Sequence, residues 1–282
     1  MEMKKIAALT MVRNDDFFLS KWTTYYGDLL GEDNLFVYFD GEDQSVPECV
    51  SRCHHEVLPR VQGNVSKSDK RRAGILSEKA AELFAAGYEM VIGVDVDEFL
   101  VVDPALGLSL PEFLSKQEIK GRNSLSGLGC DVIRNIEIEP ELDPSVNLLA
   151  QRSFARLSTR YTKTSVLCAP VNWGSGFHRT KKGNYHIVKG LYLMHFGCAD
   201  TRFLNLKISD KDLSSRGWDR HLAKRGQLFD SLPSLPVKDW DEWTSKAVSL
   251  QNCFRPVYMW NKPAMLGIKA VVRIPERFSA LV

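Results

Sequence analysis

Residues 88–100 read Tyr-Glu-Met-Val-Ile-Gly-Val-Asp-Val-Asp-Glu-Phe-Leu. The apolar run Tyr88–Val94 is typical of a strand that is covered on both faces of its sheet. It leads without a break into Asp95, Asp97 and Glu98. This pattern places negative charge at the carboxyl end of a buried strand, which is where parallel α/β sheets bind their ligands.

Upstream of this run, patterns typical of strands alternate with patterns typical of helices. We predict strands at Lys5–Val12, Leu35–Phe39 and Glu56–Leu58. The predicted helices run from a cap at Asn14–Asp16 to Gly31, from the capping-box residue Ser45 to Cys53, and through Ile75 and Phe84 to Gly87. This alternation predicts the α/β class, with a mainly parallel sheet flanked by helices.

After about residue 105 the pattern changes, and strands predominate over helices. Predicted strands lie at Ser124–Arg134, Val166–Ala169 and Gly190–Phe196. Two helical segments follow near 211–228 and 239–251, and then an apolar stretch at Gly267–Ile274. Because we find no repeat and no low-complexity linker, we predict one domain over residues 1–282 with an elaborated second half.

Composition excludes some classes of protein. The 282 residues carry 37 Lys and Arg against 35 Asp and Glu, a net charge of +2 that disfavours a nucleic-acid binder. No apolar run is long enough for a membrane span, and the N-terminal residues do not resemble a secretory signal. We therefore predict a cytoplasmic protein with free thiols. The cluster Cys49-x-x-x-Cys53-His54-His55 has no second ligand pair at zinc spacing, so buried apolar packing is the better interpretation.

The two aspartates at the strand end are candidate metal ligands. Asp95 and Asp97 are two residues apart on an extended chain, so they point to the same side and can share Mg²⁺ or Mn²⁺. Such an ion could bridge the oxygens of a pyrophosphate. A solvated face explains most pairs with this spacing. Here the flanking residues are apolar, and buried carboxylates are costly unless a cation or hydrogen bonds offset them.

Several segments, taken in order, resemble the family-2-like glycosyltransferases, and the Asp-x-Asp-Glu-Phe signature is similar to that of the family-92 enzymes. The residues that carry this resemblance are Thr10-Met-Val-Arg-Asn-Asp15, Phe18-Leu-x-x-Trp22-x-x-Tyr25-Tyr, Asp40, and Asp95-x-Asp97-Glu-Phe99. The likeness covers residues 5–105 well and 160–200 loosely. It implies a GT-A (Rossmann-like) fold that transfers a sugar from a nucleotide donor to a hydroxyl group.

The resemblance also implies roles for the residues at the strand ends. Asp95 and Asp97 would hold the metal and the donor diphosphate, and Asp40 would contact the base or ribose. Arg13 and Asp15 would line the nucleotide pocket. A surface turn is the alternative for Asp40, and a surface salt bridge is the alternative for Arg13.

A basic cluster lies at the start of the long helix after the third strand. Its members Lys70 and Arg71 could bind a diphosphate, because a helix N-terminus with nearby cations favours anions. A solvated helix face is the alternative.

Five residues are candidates for chemistry beyond the donor pocket. Trp173 and His178 flank a Gly-rich loop and could shape the sugar or acceptor site, although a tight hairpin is an equal alternative. His195 lies in an apolar strand, and the resemblance makes it a candidate third metal ligand rather than a core histidine. Asp200 or Glu98 could deprotonate the acceptor hydroxyl.

The resulting hypothesis is a metal-dependent, inverting glycosyltransferase of polysaccharide biosynthesis. Its donor would be a nucleotide sugar, with a UDP-sugar favoured, its acceptor a glycan or glycolipid, and its cofactor Mn²⁺ or Mg²⁺, with peripheral membrane association left open. In this interpretation residues 1–105 bind the nucleotide, 106–205 form the acceptor side, and 206–282 are a helical extension. The alternatives are a sugar nucleotidyltransferase, disfavoured because Val12–Asp16 contains no glycine, and a non-catalytic carbohydrate-binding module.

Overall fold

A computed structural model describes residues 3–61, 63–181, 186–215, 219–253 and 270–282. Within these ranges the helices are α1 (Asp16–Leu30), α2 (Val65–Ala85), α3 (Leu110–Ser115), α4 (Leu148–Gln151), α5 (Thr201–Ser209), α6 (Lys211–Ser215), α7 (Asp219–Ser231) and α8 (Trp240–Cys253). The strands are β1 (Ile6–Val12), β2 (Leu35–Asp40), β3 (His54–Leu58), β4 (Met90–Gly93), β5 (Glu98–Val102), β6 (Ser124–Ile133), β7 (Phe154–Leu157), β8 (Val166–Leu167), β9 (Ile187–Cys198), β10 (Val237–Lys238) and β11 (Val271–Arg273).

The first four strands form a parallel sheet in the order β3-β2-β1-β4. All seven residues of β1 are buried. Ile6 and Ala8 belong to the core that contains α1, whereas Ala7 and Leu9 belong to the core that contains α2. Because successive strand residues point to opposite faces, burial on both faces accounts for the unbroken apolar run. The predicted α/β class, with a Rossmann-like, mainly parallel sheet flanked by helices, is confirmed.

Helix α1 begins and ends at the predicted signals. The Asp15 carboxylate accepts a hydrogen bond from the Phe18 amide at 3.4 Å, which caps the first turn. Gly31 ends the helix at φ 84°, a conformation that glycine adopts without a steric penalty.

The second half extends the sheet through β6. The first residues of β6 pair antiparallel with β8, which in turn pairs antiparallel with β4. Its later residues pair antiparallel with β7 on one side and parallel with β9 on the other. Strand β9 then pairs antiparallel with β5. This arrangement brings the start of β5, the end of β9 and the end of β6 to the same region as the carboxyl ends of β1, β2 and β4.

Several local predictions differ from the structure. The helix predicted from Ser45 to Cys53 is a single 3-10 turn at Glu48–Val50, because Pro47 is extended (φ −74°, ψ 155°) and the segment is too short for more. The helix predicted near 211–228 overlaps α6 and α7, and residues 216–218 lie outside the described ranges. Strands β5, β7 and β10 and helices α3 to α5 were not predicted. Of the apolar stretch predicted at 267–274, residues 267–269 lie outside the described ranges, and β11 occupies part of the rest.

The division into residues 1–105, 106–205 and 206–282 stays a prediction. None of the helices in the described part of the chain combines the length and the apolar character that a membrane span requires.

Candidate functional site

The structure gathers acidic and basic side chains at the carboxyl ends of the parallel strands. Arg13, just after β1, donates to the Asp40 carbonyl at the end of β2 at 2.9 Å. Arg72 on α2 pairs with Asp95, in the turn between β4 and β5. Ends that are distant in sequence therefore meet at one edge of the sheet, as the alternation of elements predicts.

Asp97 and His195 are neighbours in this region. Glu98, at the start of β5, pairs in register with His195 on β9, and the Asp97 carbonyl accepts a hydrogen bond from the Phe196 amide at 2.8 Å. The Oδ2 atom of Asp97 lies 3.6 Å from Nε2 of His195. The side chains are only 10% and 2% exposed, so both groups lie in a poorly solvated environment.

Asp131 fixes the orientation of the His195 ring. It lies beside His195 on the adjacent strand β6, and its Oδ1 atom is 2.7 Å from Nδ1 of the histidine. Burial would raise the pKa of Asp131, but the bond to His195 and the charge of Arg156 hold it below its usual value. Because an ionised carboxylate can only accept, Nδ1 carries the proton and Nε2 is left facing Asp97.

The ring of Tyr161 completes this support. It stacks on His195 with the ring centroids 3.7 Å apart and the planes 15° apart. We use the name strand-end site for Asp97, His195 and Asp131 together with Lys207 and Arg156, the cations that pair with the two carboxylates.

Lys163 and Arg72 hold the first aspartate of the signature. Lys163 is 2.9 Å from Asp95 Oδ2 and 2.5 Å from Glu98 Oε1, while Arg72 contacts Asp95 Oδ1. Glu98 is fully buried, and burial raises its pKa even though Lys163 opposes that shift. Both Asp95 oxygens thus contact cations of the protein, and the three-ligand set of Asp95, Asp97 and His195 stays a prediction.

Lys207 on α5 contacts acidic residues at two different strand ends. Its ammonium lies 3.5 Å from Asp15 Oδ2 and 3.6 Å from Asp97 Oδ2. Burial raises the pKa of Asp15, and the charge of Lys207 counters part of that effect. Asp15 thus both caps α1 and faces the site.

Asp97 and His195 fit a divalent ion as a pair. Two atoms 3.6 Å apart can share one ion, because metal–ligand bonds of about 2.1 Å span that separation. A histidine ligand whose other nitrogen donates to a carboxylate is the usual arrangement at metal sites. Among the described residues no group of three or more His, Cys, Asp or Glu side chains is placed to hold a metal by itself. Water and phosphate oxygens would have to complete the coordination, as they commonly do for Mg²⁺.

The residues predicted to line the nucleotide pocket form a second group on the β2 side. Asp40 binds Arg60 and, at 2.9 Å, Arg71. Arg13 also binds both oxygens of Asp43 at 2.8 Å. Lys70, by contrast, is exposed on α2. Asp40 is therefore more than a turn residue, and Arg71 rather than Lys70 joins the strand ends.

Asp200 has structural contacts on both oxygens. It is the N-cap of α5, and Oδ1 accepts from the Arg202 amide at 2.9 Å. Oδ2 accepts from the Leu142 amide at 2.7 Å and from Arg202 Nη2 at 2.8 Å. Asp200 and Glu98 are both 0% exposed, so the structure places neither carboxylate where an acceptor hydroxyl would reach it from solvent.

Trp173 is also remote from solvent. It is 1% exposed, and its indole nitrogen donates to the Thr164 carbonyl at 2.8 Å. A Cβ on Gly93 would lie 2.6 Å from the ring, so glycine is required there for the indole to pack against β4. The ring leaves no free face for a sugar. His178 is partly exposed at the end of the same loop.

Four charged residues of the site were not predicted: Arg72, Asp131, Lys163 and Lys207. Asp131 had a detectable signal, because it is the one acid in a predicted strand whose only other charged residue is the terminal Arg134, and a buried charge requires a partner. Arg72 belongs to the basic cluster noted at the start of α2. Lys163 and Lys207 reach the site only through long-range packing, and local sequence carries no sign of it.

Comparisons with known proteins give distant likenesses only. No protein-family model and no curated protein sequence matches the chain. A protein described as a nucleotide-diphospho-sugar transferase from Desulfovibrio desulfuricans is 11% identical over 46% of this chain and 59% of that chain, with a TM-score of 0.27. The mannose-1-phosphate geranyltransferase from Thermus thermophilus is 12% identical over 98% of this chain and 76% of that chain, with a TM-score of 0.31. This chain thus spans less than two thirds of the first protein, and neither likeness bears on what it binds.

Proposed function

We propose that this chain is a GT-A-type glycosyltransferase, related to the family-2-like and family-92 enzymes, that uses a nucleotide-sugar donor and a divalent ion. The observation that carries the proposal is the trio Asp97, His195 and Asp131. Three strands bring these residues together at the ligand-binding edge of the sheet.

Each member of the trio has a separate task. Asp97 and His195 would hold Mn²⁺ or Mg²⁺, and Asp131 keeps the imidazole in the tautomer that leaves Nε2 facing Asp97. The ion, when bound, offsets the negative charge on the departing diphosphate. Asp95 holds Arg72 and Lys163 in place through direct contacts. These two residues are further cations for an anionic ligand.

The β2 side of the edge binds the nucleoside. Arg71 forms an ion pair with the Asp40 carboxylate there, and Arg13 donates to the Asp40 carbonyl. Their guanidinium and carboxylate groups supply the donors and acceptors that a base and ribose require. This assignment keeps the predicted roles of Arg13, Asp40 and Arg71 and leaves out Lys70.

A sugar nucleotidyltransferase is the competing proposal from the same edge of the sheet. The N-terminus of α1 favours the glycosyltransferase, because the Asp15 carboxylate already accepts from the first turn of the helix. A nucleotidyltransferase would place a phosphate loop after the first strand, and a carboxylate in that position repels phosphate.

Product analysis tests the proposal. Purified protein is incubated with Mn²⁺ and a panel of nucleotide sugars in the presence of glycan and glycolipid acceptors, and released nucleoside diphosphate is measured. A parallel set contains nucleoside triphosphates with sugar 1-phosphates, and released pyrophosphate is measured. Nucleoside diphosphate release that chelation abolishes supports the glycosyltransferase, whereas pyrophosphate release would show a nucleotidyltransferase.

The third alternative, a non-catalytic carbohydrate-binding module, makes its own prediction. It requires glycan binding without any dependence on nucleotide. Calorimetry with UDP in the presence and absence of Mn²⁺ separates it, because only the enzyme should bind the nucleotide more tightly with the ion.

A further inference from the structure

Arg225 on α7 reaches the strand-end site from the helical part of the chain. A Cβ on Gly197 would lie 2.7 Å from His195 Nε2 and 3.1 Å from Arg225 Nη1. The guanidinium and the metal-facing nitrogen of the histidine therefore flank one point on β9. Only the missing side chain of Gly197 allows both groups to approach it.

This cation lacks the partners that the others have. Within the described ranges, Arg72, Arg156, Lys163 and Lys207 each have a carboxylate within 4.0 Å. In the same part of the chain Arg225 has none, and its hydrogen bond is to the Tyr161 hydroxyl at 3.4 Å.

The guanidinium is held mainly by longer-range attraction. Burial opposes its charge, the carboxylates of Asp97 and Asp131 favour the charge from beyond ion-pair distance, and one long bond to a phenol adds little. A cation in this position, beside the strand ends, keeps N–H groups available for an anion that arrives with the ligand. Arginine suits phosphate in particular, because its fork of N–H groups matches two phosphate oxygens at once.

We infer that Arg225 binds the diphosphate group of the nucleotide ligand. The inference rests on the proposed function, since it takes the ligand to be a nucleoside diphosphate or its sugar ester. Arg225 contacts the diphosphate from α7, whereas Arg72 and Lys163 contact Asp95. Helix α7 thereby contributes a ligand contact.

The test compares the affinity for ligands that contain a diphosphate group with the affinity for nucleoside monophosphates. Wild-type protein, Arg225→Gln and Arg225→Lys are titrated by calorimetry, with Mg²⁺ present, against UDP, ADP, GDP and CDP, the matching monophosphates, and inorganic pyrophosphate. Arg273→Gln is the matched control, because it removes the same charge from an exposed position on β11. Melting temperatures show whether each variant is folded.

We expect Arg225→Gln to weaken binding of the preferred diphosphate and of pyrophosphate by about 10- to 100-fold. Its affinity for the monophosphate should stay unchanged, and the control variant Arg273→Gln should bind every ligand as the wild type does. Arg225→Lys keeps the charge without the fork and should recover part of the loss. If Arg225→Gln does not fold, the same comparison is made with Arg225→Lys.

The outcomes for the two proposals differ. Equal diphosphate affinity in wild type and the folded Arg225 variants would overturn the inference and leave the proposed function standing. Equal losses for monophosphate and diphosphate would also overturn it. Wild-type protein that binds neither pyrophosphate nor any of the diphosphates would overturn the proposed function together with the inference.

Discussion

Two clusters of buried charge lie near the end of β9, and they are organised differently. His195 belongs to the strand-end site. Five residues later, Asp200 belongs to a second group with Glu139, Arg152 and Arg202, which we call the capping cluster. In the capping cluster every oxygen of Asp200 and Glu139 accepts a short hydrogen bond. In the strand-end site the charged neighbours of Asp97 Oδ2, His195 and Lys207, are 3.6 Å away.

The difference indicates what each cluster is for. A closed network satisfies its own charges, so it stabilises a fold and has no capacity left for a ligand. An open network keeps charges apart at a cost in stability and gains capacity to bind. By this criterion we expect Asp97 to serve function and Asp200 to serve structure.

The largest expected effect tests the open side of this comparison. Asp97→Asn removes the charge that we assign to the ion, so turnover of the nucleotide sugar should fall by about 100-fold or more, because a bound ion supplies several kcal/mol of charge stabilisation. Unfolding by urea should show little loss of stability. Released nucleoside diphosphate is the measurement.

Asp103→Asn is the matched control for that variant. Asp97 and Asp103 adjoin opposite ends of β5 and are 7% and 8% exposed, but Asp103 is bound by Arg277 at 2.8 Å. The control should keep its activity and lose stability. Wild-type turnover in Asp97→Asn would remove the distinction between the clusters.

The closed side is tested by Asp200→Ala, which should lower the free energy of unfolding by about 3 kcal/mol, since it removes a helix cap and takes one of two nearby anions from the buried Arg152. Asp200→Asn should cost less, because asparagine caps a helix as well as aspartate does. Denaturant melts measure both. A stable Asp200→Ala protein that is inactive would instead assign Asp200 to the chemistry.

A smaller effect concerns the support of His195. Asp131→Asn should weaken Mn²⁺ binding by about 10- to 100-fold, the usual effect of losing the group that orients a histidine ligand. Mn²⁺ affinity is measured by electron paramagnetic resonance without nucleotide, and the ¹⁵N shifts of His195 report its tautomer. Unchanged affinity together with an unchanged tautomer would contradict the role of Asp131.

The pH dependence of stability tests the capping cluster further. Burial opposes ionisation of Asp200, but the bonds from Arg202 and Leu142 lower its pKa below the ordinary 3.8. The stabilisation that it contributes is therefore present above that pH and is lost as pH falls through the lower folded-state value. Asp200→Asn should flatten the acid limb of the stability profile, whereas Arg273→Gln should leave the limb as it is.

The smallest effect concerns Lys207, which competes with an ion for the same oxygen of Asp97. Lys207→Met should raise Mn²⁺ affinity by about fivefold, equivalent to about 1 kcal/mol for a partly exposed pair. The same variant should bind pyrophosphate more weakly. Calorimetry measures both, and lower Mn²⁺ affinity would mean that Lys207 supports the ion rather than competing with it.

Local patterns predicted the parts of the molecule that depend on neighbours in sequence. The apolar run of β1 and the cap at Asp15 were identified because strand periodicity and helix capping act over a few residues. His195 was a candidate only through resemblance. Its partner Asp131 lies 64 residues away, and pairing of β6 with β9 brings the two together. The contacts of Lys207 and Arg225 likewise depend on how α5 and α7 pack, which short-range patterns do not determine.

Strand β6 has a consequence for how the chain can be divided. It connects the two parts of the sheet: it pairs with β8, which pairs with β4 of the parallel strands, and it also pairs with β7 and β9. During synthesis, the edge of β4 stays open until Val166 and Leu167 of β8 arrive, and an open apolar edge recruits other chains. A fragment ending near residue 105 should therefore aggregate, and a fragment extended through β8 should be better behaved.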